Sequence, residues 1–97
     1  MFFVAEENGK IIGYIEGSVF KNYDIFKIKK KGLIDTLYVL PKYRKKGVAK
    51  KLVNEILKWF RSKGIKHFTL GTHALHKKAI LFWKHMGFKE YNYRFKK

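Results

Sequence analysis

Cysteine is absent from the 97 residues. That excludes a disulfide framework, a thiolate metal centre and a cysteine nucleophile. Proline occurs once, at Pro41, where it cannot donate to a sheet ladder and so stops the strand before it. Acids are few: seven Asp plus Glu stand against 23 Lys plus Arg, for a formal net charge of +16. An imbalance of that size points to an anionic partner or substrate. Long apolar runs are missing too, so the pattern offers no bilayer-spanning segment, and nothing at Met1 resembles a secretory signal. A soluble, cytoplasmic setting with no membrane partner is the expectation.

What the chain does have is apolar surface, with 46% hydrophobic and 18% aromatic residues. Disordered segments lack such surface, so this chain is expected to fold. Ninety-seven residues suit a single domain, 1–97, with one core if helices cover a small sheet.

Residues 2–5 form a short apolar run, and the Asn8-Gly9 pair after it favours a tight hairpin turn. Residues 11–20 are rich in β-branched and aromatic side chains and broken by Gly13 and Gly17. They read as a second strand with bends or bulges, paired with the first. Residues 21–32 carry Lys27, Lys29, Lys30 and Lys31 with little amphipathic pattern, which predicts a solvent-exposed connection with at most a frayed strand end. Residues 33–40 form the third strand.

Beyond Pro41 the period changes to about 3.6 residues. Val48, Ala49, Leu52, Val53, Ile56, Leu57 and Phe60 recur on one face, with Lys50, Lys51, Asn54, Lys58 and Arg61 elsewhere. This is an amphipathic helix of about four turns, ended by Gly64. Residues 66–72 suit a short buried strand, parallel to the third through a helical crossover. A second helix is predicted over 75–86 and closed by Gly87. Alternation at Tyr91, Tyr93 and Phe95 marks a last strand over 88–95. The order β-β-β-α-β-α-β predicts an α/β (α+β) fold on a mixed, largely antiparallel sheet.

The stretch that carries chemistry runs from Leu37 to Ala49. It joins a strand to a helix N-terminus through a glycine-containing turn, where unpaired N–H groups converge and the helix dipole places partial positive charge. Such a turn holds phosphate. Gly47 permits close backbone approach, Ala49 keeps the next position small, and Arg44, Lys45, Lys46 and Lys50 surround the spot with charge. Taken alone, the same residues also fit a solvated basic loop before an ordinary helix.

The flanking residues separate these readings. Val39-x-Pro41-x-Tyr43-Arg44-x-x-Gly47-x-Ala49, followed by Leu52-Val53, resembles the acetyl-CoA signature of the GNAT superfamily of N-acetyltransferases, whose core is Arg or Gln, two residues, Gly, one residue, Gly or Ala. Downstream, His76-Lys77-Lys78-Ala79-Ile80-Leu81-Phe82-Trp83-Lys84-His85-Met86-Gly87-Phe88 resembles that family's Asn-x-x-Ala-Ile-x-x-Tyr-x-x-x-Gly-Phe element, with the same spacing of Ala, Ile, Gly and Phe. The resemblance spans about residues 3–95. It implies acetyl-CoA as the cofactor and an amine-bearing acceptor. It also implies that Leu37, Tyr38 and Val39 pair through their backbone with the pantetheine arm, in a slot opened by splaying from the strand at 66–72. The amides of Lys45, Lys46, Gly47, Val48, Ala49 and Lys50, with Arg44 beside them, match the pyrophosphate cradle. Ala79, Phe82 and Trp83 match the cofactor channel. Asp35 matches a position that some amine-acetylating relatives use as a water-mediated general base, with a solvated or capping carboxylate as the plain alternative.

Several positions depart from the family pattern. The usual Tyr acid is Trp83, whose indole cannot supply a proton. A thiol of pKa ~8.5 is nevertheless a tolerable anionic leaving group, and Tyr38, Tyr91 or Tyr93 can be asked to serve as the acid. His76 replaces the motif's Asn and can still bond a pantetheine amide. Gly71 stands where alanine-acetylating relatives keep a Glu. His73 and His76 have no third ligand at suitable spacing, so no metal is expected. Family members ordinarily place a strand and two helices ahead of the segment matching Phe2, so the sequence reads as N-terminally truncated. An uncovered sheet face would follow, closed by a homodimer or a partner chain.

Without cysteine, direct transfer in a ternary complex is the remaining route to an acetylated amine. A charge of +16 disfavours polycationic acceptors and favours neutral or anionic ones. Two other functions stay open. One is a non-catalytic acyl-CoA-binding module. The other, less favoured, is nucleic-acid binding through the lysines at 27–31 and 42–46, although lysine richness also accompanies growth at high temperature.

Overall fold

The computed structural model describes residues 1–23, 28–71, 79–91 and 94–96. Strands β1 (Phe2–Glu7), β2 (Lys10–Tyr23) and β3 (Ile28–Val39) come first. They are followed by α1 (Val48–Ser62), β4 (Phe68–Leu70), α2 (Ile80–His85), β5 (Lys89–Tyr91) and β6 (Arg94–Lys96). All six strands share one sheet in the order β1-β2-β3-β4-β6-β5. Every junction is antiparallel except β3 with β4, which is parallel. This is the mixed, largely antiparallel α+β architecture that the element order predicts. No helix among the described residues is long and apolar enough to cross a membrane.

Local chemistry sets the boundaries. Asn8 and Gly9 both take positive φ, 51° and 79°, as a two-residue hairpin turn between right-twisted strands requires. Both helices end in the same way. After α1, Gly64 N–H donates to Arg61 O and Ile65 N–H to Phe60 O, each at 3.0 Å; after α2, Gly87 N–H donates to Lys84 O and Phe88 N–H to Trp83 O, again at 3.0 Å. Gly64 and Gly87 sit at φ 77° and 94°, so each helix closes in a left-handed Schellman turn.

The core lies between α1 and one face of the sheet. Leu52, Val53, Ile56, Leu57 and Phe60 of α1 are buried together with Ile15, Ile34, Val39, Phe68 and Leu70. Each contributes about 1.5–3 kcal/mol on removal from water. A Cβ at Gly32 would lie 2.9 Å from the Phe60 ring, and one at Gly17 would lie 2.5 Å from Ile56 Cδ1. These two glycines let the helix settle directly on the strands.

Three expectations are corrected. Residues 21–23 and 28–32 are strand rather than connection, because β2 and β3 continue through them as a paired ribbon, with Phe20 opposite Lys31, Lys21 opposite Lys30 and Tyr23 opposite Ile28, while 24–27 lie outside the described residues. Pairing satisfies the backbone whatever the side chains carry, so no apolar period is needed. The last strand is two strands, β5 and β6, folded back on each other with Lys89 opposite Lys96. It is β6 that reaches β4, through Thr69 opposite Lys96. The strand expected over 66–72 is the shorter Phe68–Leu70. Of the helix expected over 75–86, the described part is α2, Ile80–His85. Residues 72–78 lie outside the described residues.

Candidate active site

The junction of β3 and α1 is built to present backbone donors. Leu40 N–H ties the end of β3 to Ile12 O at 2.9 Å, and a single 3-10 turn, Pro41–Tyr43, follows. The chain then passes through Lys45 at φ 65° and Gly47 at φ 82°. The first intrahelical bond runs from Lys51 N–H to Gly47 O at 3.1 Å. The N–H groups of Val48, Ala49 and Lys50 therefore precede it. No side chain caps this end and no acid occupies the first turn. A Cβ at Gly47 would meet nothing within 4 Å, so the space above the turn is open. Lys45, Lys46, Gly47 and Lys50 are exposed, and Val48 and Ala49 are half-buried. Free donors, a dipole end and cations converge there, an arrangement that suits a diphosphate.

Arg44 does more than add charge. Its Nε–H donates to Val39 O at 2.8 Å, and its guanidinium lies 5.6 Å from the centre of the Tyr38 ring. It thereby braces the strand end that enters the turn. The Nζ groups of Lys42 and Lys46 lie 5.9 and 5.7 Å from the Tyr43 ring centre.

Beside the turn the sheet opens. Strands β3 and β4 pair from Gly32 opposite Phe68 to Ile34 opposite Leu70, and Gly71 N–H makes a last bond to Ile34 O at 2.8 Å. Beyond it β3 runs on through Asp35, Thr36, Leu37, Tyr38 and Val39 with no partner on that side among the described residues. Asp35 stands at the root of this gap. The β2 register passes from Gly17 opposite Ile34 to Glu16 opposite Thr36, which makes Asp35 the extra residue of a β-bulge. The bulge turns its carboxylate toward Ser18, whose Oγ–H donates to Asp35 Oδ2 at 3.1 Å. Leu37 is half-buried, Tyr38 is exposed and Val39 is buried.

The sheet face opposite α1 carries an aromatic ladder. Phe2 stacks on Tyr14 at 5.3 Å and Tyr14 meets Tyr38 at 5.9 Å. Phe2 and Val4 are about half exposed, at 52% and 48%. Glu16 lies on this face too, being two positions along β2 from Tyr14. Sequence reasoning missed Ser18, Phe2 and Tyr14, since only the strand register shows what faces them.

Trp83 is fully buried, at 0% exposure, and it sits between Phe82 at 5.1 Å and Phe88 at 5.2 Å, edge to face with both. The Schellman turn after α2 draws Phe88 back over Trp83, so the indole packs within the core. Ala79 and Phe82 are half-buried. His76, and with it the His73–His76 pair, lies outside the described residues, as does Tyr93.

Sheet, gap and amide-lined turn together define a class: an α+β fold with an uncapped, amide-lined junction between its third strand and first long helix. The chain belongs to the acetyltransferase (GNAT) family, whose model matches residues 1–88. Among curated relatives it is 33% identical over 94 residues to the uncharacterized N-acetyltransferase YjgM of Escherichia coli, covering 95% of this chain and 53% of YjgM. It is 32% identical over 91 residues to the uncharacterized N-acetyltransferase MJ1207 of Methanocaldococcus jannaschii, covering 92% of this chain and 39% of MJ1207. The chain thus spans about two fifths to one half of the length of these relatives. Among solved structures it resembles aminoglycoside N-acetyltransferase AAC(6')-Iy in complex with CoA, with a TM-score of 0.79 and 26% identity over 92% of this chain and 67% of that one. PaiA N-acetyltransferase of Thermoplasma acidophilum, in complex with coenzyme A, gives a TM-score of 0.78 and 27% identity over 99% of this chain and 57% of that one.

Proposed function

We propose that this protein is an acetyl-CoA-dependent N-acetyltransferase, organised as one domain over 1–97, that passes the acetyl group directly to a primary amine in a ternary complex. The observation that carries the reading is continuity. The amide-lined turn at 44–50 opens onto the gap where β3 leaves β4, and Asp35 stands at the root of that gap. Relatives of the same fold solved with CoA support the choice of donor.

In this reading the amides of Lys45 to Lys50 hold the pyrophosphate and the neighbouring cations balance its charge. The unpaired edge of β3 at Leu37 and Tyr38 orients the pantetheine amides. Val39 contributes less, because its carbonyl already accepts from Arg44. Bound there, acetyl-CoA supplies an activated acyl group as a thioester. Asp35 takes a proton from the incoming ammonium, directly or through a water. The free amine then forms the C–N bond as the C–S bond breaks, and the second proton shed by the acylated nitrogen passes through solvent to replace the one that sulfur takes up. Tyr38, exposed at the end of β3, serves in this reading as the phenol that returns a proton to the leaving sulfur, and general-acid help of this kind is worth about 10²–10⁴-fold. The acceptor amine is unassigned. A second copy of the chain covers the Phe2–Tyr14 part of the sheet face in the working form and leaves Tyr38 open to the gap.

A second reading, a non-catalytic acyl-CoA-binding module, is favoured by one observation: the position matching the family's acidic phenol holds a core tryptophan. Calorimetry with CoA, desulfo-CoA and ADP, followed by thiol release from acetyl-CoA with a panel of amines, separates the two. Binding with release supports the enzyme, and binding without release for any amine supports the module. No heat with CoA at millimolar concentration would sink both.

A further inference from the structure

The far end of the molecule is a second cationic surface that the proposed acetyl transfer does not use. Pairing of β1 with β2 stops at Phe2 opposite Glu16, with Met1 N–H₃⁺ donating to Gly17 O at 2.8 Å. Pairing of β4 with β3 begins only at Gly32. Residues 18–23 and 28–31 thus form a two-stranded ribbon that leaves the sheet with no third strand among the described residues, in a molecule 49 Å long and 18 Å thin. The ribbon sets Lys21 directly opposite Lys30 and Phe20 opposite Lys31. Lys21 and Lys30 are exposed, and Phe20 is 37% exposed.

The root of the ribbon adds more charge. Phe60 packs against Gly17 and Gly32, and Gly32 N–H donates to His67 O at 2.8 Å, so the end of α1 and the entry to β4 lie at the same place. They bring Arg61, Lys63 and Lys66, all exposed. Arg61 and Lys66, with Gly64, Ile65 and Phe68, line a shallow pocket of about 360 Å³. The sequence over 18–32 and 60–68 holds one acid, Asp24, against eight Lys or Arg, and the carboxylate of Asp35 meets Ser18 where the ribbon leaves the sheet. Like charges directly opposite across a strand pair destabilise it. A polyanion laid along the ribbon reverses that sign.

We propose that this end docks the phosphodiester backbone of a nucleic acid, independently of the turn at 44–50. A two-stranded ribbon is of the size that a duplex major groove admits. Exposed Phe20 among lysines provides the aromatic platform that an unpaired base would use. The bland account is that lysines on a free ribbon merely prevent edge-to-edge pairing. That account predicts no preference among polyanions and no dependence on where the charge sits.

The test is fluorescence anisotropy of the whole chain with a short labelled duplex DNA, a single-stranded RNA of the same length, and poly-glutamate, across a salt series. The expected result is binding to at least one nucleic acid, tighter than to poly-glutamate, falling with salt at a slope of about −0.9 per phosphate for duplex or −0.7 for a single strand. The stronger of the two arms identifies groove or single-strand docking. K21E/K30E should weaken binding at least about tenfold and flatten the salt slope by roughly 2. K45E/K46E makes the same charge change at the other end and should leave nucleic-acid binding within about twofold, the distant charges being screened. Circular dichroism checks that both variants fold, so failure of CoA binding does not obscure the outcome. Absence of binding at low salt, equal affinity for poly-glutamate, or equal losses in the two variants would overturn the proposal.

Discussion

Arg44 Nε–H donates to the carbonyl of Val39 at 2.8 Å, joining the turn to the strand it leaves. Replacing Arg44 with Lys keeps the charge and removes the planar donor. The variant should lose about 1–2 kcal/mol of stability, a hydrogen bond from a charged group being worth about that much when partly exposed. Its CoA affinity should fall several-fold. Calorimetry alongside thermal melting checks this, and unchanged affinity would mean that only charge matters at this position.

Gly47, at φ 82° with open space where a Cβ would project, separates conformation from ligand contact. Gly47→Ala should cost about 1–2 kcal/mol through left-handed strain and retain CoA binding. Gly47→Glu should carry a similar strain and abolish binding, because its carboxylate enters the space above the amides. A CoA titration of both variants gives the answer, and wild-type affinity in the Glu variant contradicts the cradle.

Asp35 is half-buried, and its carboxylate accepts from one exposed hydroxyl, that of Ser18. Asp35→Asn should therefore leave stability within about 0.5 kcal/mol while lowering kcat by about 10²-fold or more, with CoA affinity nearly unchanged. Ser18→Ala, which removes only the donor to Oδ2, should have a smaller effect on kcat. Steady-state kinetics at saturating donor settles the order, and equal rates for Asp35→Asn and wild type remove the base.

Gly32→Ala places a methyl 2.9 Å from the Phe60 ring, a rigid neighbour that cannot bend aside. Overpacking of this kind costs about 1–3 kcal/mol, readable as a lower midpoint in denaturant. A neutral result would show that α1 can ride up off the sheet.

Trp83→Phe tests core against channel. If Trp83 is core, as its full burial indicates, the variant melts earlier while the Kd for CoA stays put. A changed Kd at unchanged stability would return Trp83 to the channel.

Much of the fold was legible because the sequence punctuates it clearly. Asn8-Gly9, Pro41, Gly64 and Gly87 each mark a boundary that the structure keeps, and the helical period from Val48 to Phe60 is plain. The ribbon at 18–23 and 28–31 was not legible, because its lysine-rich sequence carries no apolar alternation to read. Nor was the β5–β6 hairpin, where aromatic alternation across Tyr91, Tyr93 and Phe95 imitates one strand and Asn92 alone hints at a break. In the candidate site, Gly47 and Asp35 could be picked out by motif spacing. The bulge that makes Asp35 face Ser18 depends on the register of two strands, which no local pattern encodes. The burial of Trp83 was hidden for a related reason: Phe82 and Phe88 close around it only once the helix has ended.

Helix α1 has 15 residues, which at 1.5 Å of rise per residue make a rod of about 22 Å. Screening in physiological salt acts over about 8 Å, so charge neutralised at one tip is scarcely felt at the other. Whatever the chain holds at its two extremities, affinities measured there should multiply as independent factors, with neither ligand sharpening or blunting the grip on the other.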